Sequence, residues 1–327
     1  MSKPKVAVIF TGGTIAGQSD SNLDTTSYRA GVLTGAELLA QIPAVHDFCT
    51  PVPEQFRNVV STDITDADLL ALHALVTRQL AQDDIAGVVI THGTATLEET
   101  AAFLQFTLRS DKPVVLVGAM RPNSAISADG QMNLVQAFAL AASPQARGRG
   151  ILVCANDRIG SAIYISKTNA QAVDTFQARD AGFLGVMMGV RPLFYAQPAQ
   201  PLLPPCFDVA GGGALPRVAV VHTHLNDDPG VLEYFLAQGA SGLVIAAAGN
   251  GTLSSAMARQ ANACVERGVP VVKSSVCGAG FVWNEGKDKL IPAGFHNPQK
   301  SRMLLALCLR QGMDMAEIEA CFTVQLG

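Results

Sequence analysis

Short apolar runs alternate with longer amphipathic stretches along most of the chain. The runs at residues 6–10, 86–90, 114–117 and 150–154 are rich in β-branched residues and short enough to be buried parallel strands. Helical patterns lie between them. Leu69, Leu72, Val76 and Leu80 share one face behind Thr65, which is placed to cap the helix, and Thr96 with Glu99 has capping-box spacing ahead of residues 101–108. Strand followed by helix, repeated, predicts an α/β fold with a parallel or mostly parallel sheet.

The alternation stops after residue 192. Pro198, Pro201, Pro204 and Pro205 cluster ahead of Gly211, Gly212 and Gly213, a composition that suits neither a helix nor a central strand. It restarts with strand candidates at residues 218–221, 242–246 and 269–272 and helical candidates at 231–236 and 254–267. The reading is two α/β domains, each a sheet flanked by helices: a larger one over residues 1–194, a linker over 195–216, and a smaller one over 217–327. A length of 327 residues fits two domains better than one core.

Composition narrows the function classes. With 49% hydrophobic and 15% charged residues the chain can bury large cores. The net charge is −4 with no block of like charge, so no nucleic-acid surface of clustered Lys and Arg is expected. The apolar run at residues 6–10 is too short for the core of a signal peptide, and no stretch reads as a membrane span. These features predict a cytoplasmic protein with a small-molecule substrate. The seven cysteines, odd in number and without a CxxC pair, read as reduced and mostly buried thiols, with no disulfide framework and no metal site.

In open parallel sheets ligands bind beyond the carboxyl ends of strands. Three such places carry reactive side chains. The first is TGGTIAG at residues 11–17, where Gly12 and Gly13 permit a tight turn with exposed amides and the Thr14 hydroxyl is a candidate nucleophile beside them. A plain strand-to-loop turn is the alternative. A phosphate loop would need a Gly-Lys-Ser/Thr ending that is absent, as is the GxGxxG fingerprint. The second is THGTATLEE at residues 91–99. Thr96 serves as a helix cap and Thr94 is free for another role, while His92 is either a base or a hydrogen-bonded packing residue. The third is Lys167 in Ser166-Lys167-Thr168-Asn169, either a semi-buried amine with a lowered pKa or a snorkelling surface lysine.

Taken together, these segments resemble the bacterial-type asparaginase/glutaminase family, and the resemblance runs along most of the chain. TGGTIAG and THGTATLEET match its two signatures, the second with one departure. Gly118-Ala119-Met120-Arg121-Pro122, Ser127-Ala128-Asp129-Gly130, Asn133-Leu134, Asn156-Asp157, Lys167-Thr168-Asn169, Gly249-Asn250-Gly251 and Asn297-Pro298-Gln299-Lys300 follow in the family's order. The resemblance implies hydrolysis of the side-chain amide of L-asparagine to aspartate and ammonia through a threonine acyl-enzyme, with no metal and no organic cofactor. It implies Thr14 as nucleophile, Tyr28 on a mobile loop as its proton acceptor, Thr94 and Lys167 as a second pair activating a hydroxyl or water, and Ser61 as a ligand of the substrate carboxylate. Backbone amides at Gly12–Thr14 and Gly93–Thr94 would hold the oxyanion. It also implies a homotetramer, a dimer of dimers in which a neighbouring subunit completes each site.

The departures cluster at one end of the expected substrate. Ala95 stands where the family usually has an aspartate that contacts the α-ammonium. Thr62 stands where glutamine is frequent, and Thr252 where some members have an asparagine that crosses the subunit interface. Glu285, in a shorter acidic region, is the remaining candidate for a negative charge. The alternatives are therefore an amidohydrolase for a related amide without a free α-amino group, or a weakly active or non-catalytic amino-acid binder.

Overall fold

The structure is a computed structural model. It describes residues 3–197, 206–284, 286 and 288–323, arranged as two compact units, Met1–Pro198 and Ala199–Gly327. In the first unit the elements run β1 (Lys5–Gly12), α1 (Gly35–Ala40), β2 (Thr50–Val59), α2 (Asp66–Leu80), β3 (Ile85–Thr91), α3 (Leu97–Thr107), β4 (Val114–Val117), α4 (Gly130–Ala142), β5 (Ile151–Ala155), β6 (Arg158–Ser161), β7 (Ser166–Lys167), β8 (Phe176–Gln177), β9 (Gly185–Met188) and β10 (Arg191–Phe194). Eight of these strands form one sheet in the order β10-β9-β6-β5-β4-β3-β1-β2. From β2 to β5 the pairing is parallel, and β6, β9 and β10 add an antiparallel edge. The short β7–β8 ribbon stands apart.

The apolar runs are strands because both faces of the sheet centre are covered. Residues 6–10 are all essentially inaccessible. Val6, Val8 and Phe10 pack with Val89, Val115 and Val117 against Leu134, Ala137 and Phe138 of α4. The intervening Ala7 and Ile9 point to the opposite face, as strand geometry requires. A side chain such as Phe138, fully buried here, contributes roughly 1.5–3 kcal/mol. Helix α2 begins as expected: Thr65 accepts from the Asp68 amide while the Asp68 carboxylate accepts from the Thr65 amide, a reciprocal capping box.

Helix α3 does not begin as expected. Thr96 occupies the N-cap position but makes no side-chain cap; its hydroxyl instead donates to the Ser61 carbonyl at 2.8 Å. The Thr96–Glu99 spacing therefore ties two loops together rather than closing a helix end. Strand β2 carries no apolar run at all. It is the sheet edge, paired only with β1, and its Pro51 and Pro53 are tolerated there because an edge strand has unpaired amides to spare.

The second unit runs β11 (Val218–His222), α5 (Gly230–Ala237), β12 (Gly242–Ala247), α6 (Ser255–Glu266), β13 (Val271–Ser275), β14 (Ile291–Pro292), α7 (Pro298–Arg310) and α8 (Met315–Phe322). Its four strands are all parallel, in the order β11-β12-β13-β14. Asn297 caps α7 by accepting from the Lys300 amide, with Pro298 at the first helical position. Arg310 at the end of α7 donates to the carbonyls of Val209, Gly212, Gly213 and Ala214, so this glycine-rich stretch is held to the unit by its backbone. The prolines expected to form the linker, Pro198 to Pro205, lie outside the described residues. Cys49, Cys154, Cys264 and Cys308 are buried thiols, whereas Cys206 and Cys277 are exposed and Cys321 is intermediate.

Candidate active site

Strands β1 and β3 are neighbours in the sheet, with Phe10 opposite Thr91, so the loops that follow them meet. They meet backbone to backbone. A Cβ on Gly13 would lie 2.5 Å from both Cα and N of Gly93, and one on Gly93 would lie 2.8 Å from the Ser61 Oγ. Gly13 also adopts φ 81° and ψ −169°, a region essentially closed to other residues. The Gly13 amide donates to the Val59 carbonyl at 2.9 Å, fixing the turn to β2. Thr14 then opens a single 3-10 turn, Thr14–Ala16. We expect Gly13→Ala to lower unfolding free energy by about 2–6 kcal/mol, from backbone strain of roughly 1–3 plus overlap of similar size. Chemical denaturation measures it, and an unchanged midpoint would mean the two loops separate freely.

Two hydrogen-bonded pairs stand at this meeting point. The Thr14 Oγ1 and the Tyr28 hydroxyl are 2.6 Å apart, either able to donate. The Lys167 ammonium donates to Thr94 Oγ1 at 2.8 Å. Both threonines are buried, 8% and 5% exposed, so neither hydroxyl is an ordinary surface group. Lys167 is half-buried, and loss of solvent pushes its pKa below the ordinary lysine value, opposed in part by the Glu98 carboxylate. It is not a snorkelling surface lysine.

His92 is resolved in favour of packing. It is fully buried, its Nδ1 donates to the Gly93 carbonyl at 2.8 Å, and its Nε2 faces the Thr100 hydroxyl at 2.8 Å. A carbonyl can only accept, so Nδ1 carries the proton and Nε2 accepts from Thr100. Burial pushes its pKa down to about 4, which keeps the ring neutral. Its two bonds clamp the β3 loop to α3.

Thr14, Tyr28, Thr94 and Lys167 line one cavity of about 940 Å³. Its outer wall is the loop between β1 and α1, which contributes Asn22, Leu23, Thr25 and Thr26. That loop is closed at its base, where Gln18 and Arg29 exchange backbone hydrogen bonds of 2.9 Å each. It is also tied to the loop after β4: Asn123 donates to the Gly17 carbonyl and Ile126 to the Asn22 carbonyl, both at 2.8 Å. The β4 loop brings Met120 and Arg121 into the cavity wall, held by Asp129, whose carboxylate accepts from both their amides at 2.9 Å. Asn169, Gln171 and neighbouring alanines after β7 complete the wall.

The other expected site residues lie differently. Ser61 is buried behind Gly93, and Thr62 and Ala95 are exposed; none of the three, nor Gly93, lines the cavity. Thr252 is exposed on the second unit, and Glu285 lies outside the described residues. Arg121 and Asn169 fall in segments that carry the family resemblance, but nothing in their spacing marks them as cavity residues. Among the described residues no group of three His, Cys, Asp or Glu side chains could hold a metal, and no helix is long and apolar enough to cross a membrane.

Residues 5–200 match the family described as Asparaginase, N-terminal, and residues 217–322 match the Glutaminase/Asparaginase C-terminal domain. The chain belongs to the asparaginase family. Among its asparaginase relatives, L-asparaginase 2 of Bacillus subtilis (strain 168) is 41% identical over 322 residues, 98% of this chain and 86% of that protein. Probable L-asparaginase 3 of Schizosaccharomyces pombe is 39% identical over 99% of this chain and 90% of its own length. The crystal structure of a probable cytoplasmic L-asparaginase from Campylobacter jejuni superposes with a TM-score of 0.94 at 39% identity, covering 98% of this chain and 99% of that one. The asparaginase match thus spans both units and both hydroxyl pairs.

Proposed function

We propose that this chain hydrolyses the side-chain amide of L-asparagine to aspartate and ammonia. The observation that carries the reading is the convergence of Thr14–Tyr28 and Thr94–Lys167 on one cavity in an asparaginase family member. A threonine hydroxyl is a weak nucleophile and needs a base. Tyr28 takes the Thr14 proton as Oγ1 attacks the amide carbon, and the C–N bond breaks with ammonia leaving, protonated by that same proton. The resulting ester is cleaved by water, activated by Thr94 and Lys167, which frees aspartate and restores the Thr14 hydroxyl. Backbone amides at Thr14 and Thr94 hold the developing oxyanion, the Gly13 amide being bonded to the Val59 carbonyl. Ser61 binds the substrate carboxylate in this reading, with Thr62 and Gly93 beside it, although none of the three lines the cavity itself. A cytoplasmic location and a homotetramer, with a neighbouring subunit closing each cavity, belong to the same reading. Ammonia release from L-asparagine by the purified chain tests it; no release at neutral or alkaline pH would remove it.

A second reading is favoured by the cavity's charge. Arg121 and Lys167 line it, and among the described residues no aspartate or glutamate does. Among the described residues no counter-charge for an α-ammonium lines the cavity, and Ala95, outside its wall, carries only a methyl group. The preferred substrate is then a β-carboxamide that carries a carboxylate but no free amine. Ala95→Asp, at an exposed position, is expected to raise the asparagine-to-succinamate ratio of kcat/KM by about 10- to 150-fold, the equivalent of one charge-assisted hydrogen bond. Paired kinetics on the two amides read it. A ratio that Ala95→Asp leaves unmoved, with asparagine preferred by the unsubstituted chain, eliminates this second reading.

A further inference from the structure

Lys167 sits on a strand only two residues long, paired to an equally short β8. Such a ribbon supplies little rigidity of its own. Yet the amine must hold a 2.8 Å bond to Thr94 on a different loop. The group that joins the two is Glu98. It lies in the first turn of α3, four residues beyond Thr94, and is 7% exposed. Its Oε1 accepts from the Lys167 backbone amide at 3.3 Å.

We propose that Glu98 is the positioning residue of the Lys167 amine, fixing the β7 backbone against α3 and supplying the negative charge in whose field the amine gains and loses its proton. The proposal rests on the reading above in which Lys167 works as a base. Glu98 has two separable effects. The backbone hydrogen bond places Nζ at Thr94, which a neutral acceptor of the same shape can also do. The charge favours the ammonium, opposing the burial that disfavours it. The other ionisable groups around Lys167 do not replace it. His92 on the β3 loop is neutral and turned to Gly93 and Thr100. Tyr28 of the outer loop is bonded to Thr14. Arg121 of the β4 loop is a cation, held by the Ser127 carbonyl at 2.9 Å. Strand β8 contributes Phe176 and Gln177, neither charged.

The sign of the effect follows. A base works when deprotonated, and Lys167 serves the cleavage of the ester, so the acid limb of kcat reports the loss of the proton from Lys167. Glu98→Gln keeps an oxygen acceptor for the Lys167 amide and removes the charge. The amine then loses its proton at lower pH, and the acid limb moves down. The ratio of E98Q to wild-type kcat therefore rises severalfold as pH falls across the limb. Glu98→Asp retains the charge at a greater distance, and its limb lies between the other two.

The experiment is the pH profile of steady-state kcat for ammonia release by wild type, E98Q, E98D and K167M. A ratio that is flat with pH, a uniform loss, makes Glu98 merely structural and overturns the proposal. Should E98Q be recovered unfolded, E98D decides: a limb displaced downward supports the proposal, and one superimposed on wild type overturns it. K167M with wild-type activity removes the role of Lys167 itself and the proposal with it. Inactive K167M with a flat E98Q ratio sinks the proposal alone.

Discussion

Thr14→Ala is expected to abolish ammonia release from asparagine, lowering kcat by at least about 10,000-fold, the scale on which loss of a covalent nucleophile acts when the rest of a site remains. Only the hydroxyl and the γ-methyl are removed, and the Thr14 backbone stays held by its 3-10 turn and by the Gly17 amide, which donates to the Thr14 carbonyl at 2.8 Å. The fold should therefore survive, with an unfolding midpoint close to wild type. Substrate affinity should survive too, because the walls of the cavity come from Met120, Arg121 and Asn169 rather than from Thr14 alone. The decisive comparison is Thr14→Ser, which keeps a hydroxyl at the same place and should retain a measurable rate. Thr14→Ala with a rate within tenfold of wild type would transfer the nucleophile's role elsewhere, Thr94 being the next buried hydroxyl in the cavity. Binding of asparagine to an otherwise silent wild type, unchanged in Thr14→Ala, would favour a non-catalytic binder.

Both threonines were legible in the sequence because each follows a strand that its apolar run betrays. Residues 6–10 and 86–90 are buried on both faces, so they contain no polar position to confuse the reading, and the loop after each is abruptly rich in Gly and Thr. The same logic fails for β2. An edge strand needs no continuous apolar run, and its Pro51 and Pro53 read as breakers until the unpaired side of the strand is known. It fails for Thr96 as well, where the spacing predicts a cap but the nearby Ser61 carbonyl takes the hydroxyl. A local pattern cannot register a partner 35 residues away. Glu98 escaped for a related reason: its partner Lys167 is 69 residues on, and the two meet only where the β7 backbone reaches the first turn of α3. Cavity walls are legible least of all. Arg121, Asn22 and Asn169 come from three loops whose directions are set by hydrogen bonds such as those from the Ile126 amide to the Asn22 carbonyl and from the Met120 amide to the Asp129 carboxylate, none of which leaves a periodic trace.

Lys167→Met provides the sharpest division of labour between the two hydroxyl pairs. Methionine preserves much of the apolar stem and removes the amine that donates to Thr94 at 2.8 Å. Loss of a positioned base usually lowers a rate by about 100- to 10,000-fold, and kcat should fall within that range while the Thr14–Tyr28 contact at 2.6 Å is untouched. Attack by Thr14 does not need Lys167 in this scheme, so the first half-reaction should continue and the second should stall. Asparagine should then acylate the chain faster than water releases it. Intact-protein mass spectrometry of Lys167→Met mixed with asparagine and quenched in acid should reveal one acyl group per chain, and peptide mapping should locate it on Thr14. Adding Thr14→Ala to the same chain should remove the adduct. An initial burst of ammonia, equal to one per site, should precede the slow steady state, because ammonia leaves before the step that Lys167 serves. Equal slowing of burst and steady state, with no adduct, would instead assign Lys167 to the attack of Thr14 itself. The two pairs would then act in one step through a shared proton path, with Thr94 between the amine and the nucleophile.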